Sequence, residues 1–269
     1  MVLGVEIGGT KLQIGVADTR GHIRQLVRLP VDRQAGRAGI LRQFATTIPG
    51  LLHQDPVQAI GVGFGGPVDC HRGRVVKSHQ VTGWSGFPLR QWFVRHFHLP
   101  VVVENDSNCA ALAEARQGAG CGQRVVFYTN IGTGIGGGLV IAGTLYNGRY
   151  GAMELGHTRF PVGSKFPTVE ALAAGLAIER KQSTVAKSAR VMGVAVANVI
   201  ALLNPDVIVI GGGVAKAGPK FFRPLRATVH RLVFAPYRQN YRIVPAQLGE
   251  SVVVVGAVLL AAELVARRR

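Results

Sequence analysis

Short apolar runs recur along this chain, and most of them stop at a pair or triplet of glycines. Val2–Ile7 and Leu12–Ala17 read as two strands joined by Gly8-Gly9-Thr10-Lys11, followed by a turn at Asp18–Gly21 and a third strand, Ile23–Val31. Ile40, Leu41, Phe44, Ile48 and Leu51 have helical spacing, so a helix is expected over residues 36–53. Gln58–Phe64 is the next strand and runs into Gly65-Gly66-Pro67-Val68-Asp69. Helix Arg90–Phe97 follows an irregular aromatic loop, Gly83–Leu89, whose Trp84 is open to two readings, a ring that stacks on sugar or a plug in the core.

The rest of the chain is organised around residues 99–115. Val101–Val103 reads as a buried strand and the alanine-rich run after Asn108 as a close-packed helix. Between them lie Glu104-Asn105-Asp106-Ser107-Asn108, at the carboxyl end of a strand, where open α/β sheets place their ligands. Ser107 or Asp106 would suffice to cap the helix; five polar residues in a row point to a site.

Strand Val125–Asn130 runs into Ile131–Gly138, then strand Leu139–Ala142 and a hairpin signal at Tyr146-Asn147-Gly148. Gly132, Gly134 and Gly137 match G-x-G-x-x-G, yet a second strand follows where a dinucleotide site needs a helix. The segment instead repeats the opening: Ile131-Gly132-Thr133-Gly134 matches Ile7-Gly8-Gly9-Thr10, each between two strands. Such a repeat implies two related domains facing one nucleotide. Glu154 and His157 come next, then Glu170 at the start of a helix, an apolar helix over 186–203 ended by Asn204-Pro205-Asp206, and strand Val207–Ile210 entering Gly211-Gly212-Gly213. Strand Arg242–Pro245 and helix Ser251–Ala266 close the chain.

With 269 residues, 48% of them hydrophobic, the chain is expected to fold as a globular protein of one large or two ordinary domains. The formal charge of +17 invites a nucleic-acid reading, but apart from Arg267-Arg268-Arg269 the basic residues are scattered and no basic, aromatic-rich stripe offers base stacking. A basic surface compatible with an anionic small substrate is the expectation. Cys70, Cys109 and Cys121 are odd in number and lack C-x-x-C pairing, which argues against a disulfide framework and against a thiolate zinc site. The start lacks a signal-peptide layout, and the longest apolar run, Val252–Ala262, is too short to span a bilayer, so a cytoplasmic protein with no membrane partner is expected.

At the first corner, backbone N–H groups, the Thr10 hydroxyl and the Lys11 ammonium follow the Glu6 carboxylate, a set suited to metal-bound phosphate. Gly211–Gly213 would let a flat base lie against the backbone. Taken together, Glu6–Lys11, Gly63–Asp69, Glu104–Glu114, Gly132–Gly138, Glu154–His157, Glu170–Gly175 and Asn204–Ala215 resemble the ROK family (repressors, open reading frames and sugar kinases), in that family's order over nearly the whole chain. The resemblance implies an α/β, two-lobed actin-like ATPase (ribonuclease H-like) fold with mixed sheets and a central cleft. The expected lobes are residues 1–107, completed by the C-terminal helix 252–269, and residues 108–251.

The same resemblance implies ATP-dependent phosphorylation of a hexose, with Mg²⁺ and a homodimeric assembly. Asp106 matches the general base, and Gly66, Asn105, Asp106, Glu154, His157 and Glu170 match sugar-binding positions. Gly8, Gly9, Thr10 and Lys11 match one phosphate loop, Gly132, Thr133 and Gly134 the other, and Gly211, Gly212 and Gly213 the adenosine loop. Glu6 matches the residue that holds Mg-ATP through water, although most members carry Asp there. A side chain at Gly134 is expected to weaken ATP binding far more than sugar binding.

Two further departures matter. The family's zinc loop is absent, since residues 158–169 contain no cysteine, and no structural zinc is expected; Phe160, Pro161, Phe166 and Pro167 are the candidates to stiffen that loop instead. The stretch between Glu170 and Gly193 is also short for the family. The chain opens directly on the first strand, so no DNA-binding domain is expected. The alternatives kept open are a kinase for fructose or an N-acetylhexosamine, polyphosphate as donor, and a non-catalytic sugar sensor.

Overall fold

A computed structural model describes residues 1–268 except His79, Arg149, Tyr150 and Ala152. The chain divides into two compact units, Met1–Ala113 with Asn147–Ala152 and Glu250–Arg269, and Glu114–Tyr146 with Met153–Gly249. The division falls inside a helix, after Ala113, where the sequence reading placed it at residue 107.

In the first unit, β1 (Val2–Ile7), β2 (Lys11–Ala17) and β3 (Ile23–Pro30) form a meander, followed by α1 (Gly36–Gln54) and β4 (Ile60–Phe64). A small ribbon of β5 (Val68–Asp69) and β6 (Arg74–Val75), then α2 (Leu89–Phe97) and β7 (Val101–Asn105), lead into α3 (Asp106–Gln117). The sheet order is β3-β2-β1-β4-β7. β1 is buried at every residue because it lies mid-sheet with both faces covered, whereas the edge strand β3 has exposed residues along its length. α1 turns Ile40, Phe44, Ile48 and Leu51 inward, the spacing that keeps one stripe of a helix against a core. Trp84 is 1% exposed and packs edge-on against Phe64 and Phe87, so of its two readings the core plug holds.

The second unit repeats this plan. β8 (Val125–Ile131), β9 (Ile135–Ile141) and β10 (Thr144–Tyr146) form its meander. Two short helices, α4 (Val169–Ala173) and α5 (Gly175–Glu179), precede α6 (Val185–Leu203), β11 (Val207–Gly211), α7 (Pro219–Leu232) and β12 (Arg242–Pro245). The order β10-β9-β8-β11-β12 matches the first sheet position for position, antiparallel on the meander side and parallel on the other. The glycine run Ile131–Ile135 therefore joins antiparallel strands, as its sequence context requires. The β9–β10 turn lies at Ala142-Gly143, both at positive φ, rather than at Asn147-Gly148. α7, which packs on α6, has no counterpart in the sequence reading.

α8 (Val252–Ala266) returns to the first sheet and packs on β1 and β4. A side chain at Gly61 would strike the Ala257 carbonyl, so glycine there lets the helix backbone touch the strand. α6 and the 249–266 segment are long and apolar enough to cross a membrane by length and composition, which corrects the reading of the terminal run as too short. Both bury residues in these cores: Met192, Val196 and Ile200 from one, Val254 and Val258 from the other.

Candidate active site

In the first unit the corner between β1 and β2 is closed by the Gly8 N–H, which donates to the Lys11 carbonyl at 3.1 Å. Glu6 stands directly across the hairpin from Gln13. Gln13 is fully buried and its whole amide is engaged: Nε2 donates to Glu6 Oε2 and, at 2.7 Å, to the Glu250 carbonyl, while Oε1 accepts from Arg28 Nε at 3.1 Å. Lys11 Nζ donates to the same carbonyl at 3.2 Å. Burial pushes the Glu6 carboxyl up to about 7, against the pull of Lys11 and the Gln13 amide, and the Asp106 and Glu250 charges push the same way as burial.

The Gly65 N–H donates to the Ile7 carbonyl at 2.8 Å, and a Cβ on Gly65 would stand 3.5 Å from Asp106 Oδ2. Gly8, Gly65 and the Asp106 carboxylate thus meet in this unit. Asn105 caps α3, its Oδ1 accepting from the N–H groups of Ser107 at 2.8 Å and Asn108 at 3.3 Å, while Nδ2 donates to the Gly66 carbonyl at 3.0 Å. The cap is therefore Asn105, not Ser107 or Asp106. Asp106 becomes the first helical residue, its carboxylate at the positive end of the helix dipole.

In the second unit the Gly132 N–H donates to the Gly134 carbonyl at 2.9 Å, and the Gly175 N–H to the Gly132 carbonyl at 2.7 Å. Glu170 Oε2 accepts from the Ile135 N–H at 2.8 Å. The third corner adjoins these, with Val214 N–H on the Ile131 carbonyl at 3.0 Å, and a Cβ on Gly212 would strike the Ile131 backbone. Glu154 precedes and His157 ends a 3-10 turn, Leu155–His157, with Glu154 Oε2 4.0 Å from His157 Nε2. Burial raises the Glu154 carboxyl, the nearby His157 lowers it, and the charge of Glu170 raises it. Glu154, His157, Glu170 and both glycine corners belong to this unit, whereas Glu6, Gly8–Lys11, Gly66, Asn105 and Asp106 belong to the first.

His157 and Glu170 are linked by a backbone ladder. Val169 N–H donates to the Thr158 carbonyl and Phe160 N–H to the Pro167 carbonyl, both at 2.9 Å, and Val162 and Lys165 exchange bonds of 2.9 and 3.0 Å around Gly163 at φ +56°. The innermost pair, Thr158 and Val169, is adjacent in sequence to His157 and Glu170, so the ladder holds their separation. Phe160 packs on the core of the unit but Phe166 is 63% exposed, which leaves hydrogen bonding rather than Phe166 as the brace. Among the described residues no group of three or more His, Cys, Asp or Glu side chains is placed to hold a metal ion.

Comparison with known proteins decides the family. The ROK family model matches residues 2–190 and 173–264. The chain belongs to the ROK family. It is 30% identical to a glucokinase of Halalkalibacterium halodurans over 306 aligned positions, covering 94% of this chain and 92% of that one. It is likewise 30% identical to a glucokinase of Streptomyces coelicolor, covering 98% of each. Among solved structures it matches a ROK hexokinase from Thermus thermophilus at TM-score 0.86 and 30% identity, covering 99% of each chain. It matches a Streptomyces griseus ROK family glucokinase, in complex with glucose and AMPPNP, at TM-score 0.83 and 29% identity, covering 97% of this chain and 99% of that one. The ROK chain described here thus has the actin-like ATPase fold, α/β with mixed sheets. The two family matches overlap at 173–190, within the stretch that reads as short, and the 306 aligned positions exceed the 269 residues of this chain.

Sequence reasoning missed the supporting roles of three groups of residues. Gln13 looked like an ordinary strand residue, and only its strand register against Glu6 marks it. Glu104, 3% exposed, sits behind Asn105 and accepts from the Asn105 N–H at 2.8 Å, Asn108 Nδ2 at 3.0 Å and Asn147 Nδ2 at 2.7 Å; burial raises its carboxyl. Asn147, read as a turn residue, thus helps to satisfy a buried acid. Arg33 reaches the first glycine corner from the loop after β3.

Proposed function

We propose that this protein phosphorylates a hexose with ATP, as a kinase of glucokinase type. The reading is carried by one arrangement: an acid at the first turn of α3, beside a glycine corner that recurs at the equivalent place in the second sheet. The glucokinase relatives at 30% identity and the glucose and AMPPNP complex of a ROK family glucokinase support it.

Asp106 takes the proton of the attacking sugar hydroxyl as its oxygen bonds to the γ-phosphorus; the bond to the bridging oxygen breaks and ADP leaves with the electron pair. Gly66, Asn105, Asp106, Glu154, His157 and Glu170 are the residues assigned to the hexose. The Asn105 oxygen is occupied by the helix cap, so its contact to sugar comes from the second N–H of Nδ2. Gly8–Lys11 and Gly132–Gly134 bind phosphate and Gly211–Gly213 the adenosine.

Glu6 fits an Mg²⁺ held with the nucleotide. Its carboxylate is a hard oxygen donor, 8% exposed, whose ionised form lacks solvation that a divalent charge would replace. When bound, that ion supplies charge neutralisation at the phosphates. No structural zinc belongs to the proposal. The deciding experiment is a hexose panel with ATP, coupled to ADP release: saturable turnover with at least one hexose supports the reading, and none with any hexose removes it.

A further inference from the structure

The tip of the first glycine corner depends on one peptide plane. Gly9 and Thr10 lie outside the flanking strands, and among the described residues their N–H groups make no backbone–backbone hydrogen bond. Gly9 has no side chain to hold it, and a Cβ there would meet the exposed Gln80 side chain, which would have to move aside. A peptide beside glycine turns over readily, and turning exchanges its N–H for its carbonyl. A carbonyl aimed at a phosphate would repel it.

Arg33 closes off that alternative. Its Nε donates to the Gly9 carbonyl at 2.9 Å. In a trans peptide the carbonyl and the following N–H point in opposite directions, so a donor holding the Gly9 carbonyl turns the Thr10 N–H away from Arg33. The next peptide is held from the same loop, with Val31 N–H on the Thr10 carbonyl at 3.1 Å. The loop itself is stiffened by Asp32 Oδ1, which accepts from the N–H groups of Gln34 at 2.9 Å and Ala35 at 3.3 Å. The second corner has its own outside donor, Gly175 N–H on the Gly132 carbonyl at 2.7 Å. Both corners therefore have one carbonyl pinned from outside the hairpin, once by a side chain and once by backbone.

We infer that Arg33 is a positioning residue of the first phosphate corner, locking the Gly9–Thr10 peptide so that the Thr10 N–H faces the terminal phosphate of the donor nucleotide. The guanidinium also polarises that peptide, which makes the N–H a better donor. The inference rests on the kinase reading above, in which this corner binds phosphate.

Two substitutions separate orientation from charge. Arg33→Met places a carbon where Nε lies and removes the donor; Arg33→Gln places an amide nitrogen there, keeping a donor without the positive charge. Calorimetric titration with Mg²⁺ plus AMPPNP, and separately with Mg²⁺ plus ADP, reads the terminal phosphate by difference. Arg33→Met should lose about tenfold in AMPPNP affinity, the size of one hydrogen bond, with ADP affinity and hexose KM unchanged and kcat reduced. Arg33→Gln should recover most of that loss. Equal loss for AMPPNP and ADP in Arg33→Met, or no recovery in Arg33→Gln, would overturn the assignment. An unsubstituted protein that binds neither nucleotide would instead remove the kinase reading itself.

Discussion

Glu170 occupies the space that a side chain on Gly134 would need: its Oε2 lies 2.6 Å from where a Cβ would stand, and that oxygen accepts from the Ile135 N–H. The second glycine corner and an acid proposed to bind sugar are thus in contact. A substitution at Gly134 is expected from the sequence to weaken ATP binding far more than sugar binding, and this contact revises that expectation. Gly134→Val should raise the KM for hexose as well as for ATP, each by about tenfold or more, because Glu170 must leave the corner. Initial-rate kinetics with each substrate varied in turn check this; a change confined to ATP would show that Glu170 relaxes without cost.

Asp106 is the second test. Asp106→Ala should lower kcat by roughly 10²-fold or more with little change in the KM for ATP, as removal of a general base predicts. Near-normal turnover in a folded variant would end its assignment as base.

The raised Glu6 carboxyl gives stability a pH dependence whose sign follows from proton counting. Unfolded, the group ionises near 4.5, and folded near 7, so between those values the native protein holds a proton that the unfolded chain has released. Stability of the ligand-free protein therefore falls as pH rises through that window, by about 3 kcal/mol in all for this group. Glu6→Gln should be more stable than the parent at pH 8 and similar to it near pH 4.5. Thermal unfolding across that range reads the difference, and a stabilisation independent of pH would contradict the cause given.

The ladder from Thr158 to Val169 carries the last expectation. Lys165→Pro deletes an N–H that bonds to the Val162 carbonyl, so it should raise the hexose KM several-fold while the KM for ATP stays within about twofold. Elemental analysis should find no stoichiometric zinc, and stripping with a chelator should leave activity intact once Mg²⁺ is restored. One tightly held zinc per chain would mean that the brace is a metal site after all.

Much of the architecture is written in local pattern. Buried strands such as Val2–Ile7 and Val207–Gly211 announce themselves as apolar runs, and glycine corners mark their ends, because a central strand must be apolar on both faces and a tight turn tolerates few side chains. The internal repeat was legible for the same reason, and the strand orders of the two sheets match it. The amphipathic α7 escaped because Pro219 and Pro224 read as helix breakers, although Phe221, Phe222, Leu225 and Val229 share its buried face.

What only the tertiary structure decided is which polar atom meets which. Gln13 faces Glu6 and Arg28 faces Gln13 through strand register, Asn147 satisfies Glu104 across 43 residues, and Arg33 meets Gly9 across 24. Side-chain identity fixes how many hydrogen bonds a group makes but not with whom, and burial, which sets the Glu6 carboxyl near 7, belongs to the packed sheet and not to residue 6. Glu170 illustrates both halves. Its place at the start of a short helix was legible, but its contact with Gly134 exists only because α4 packs back onto β9.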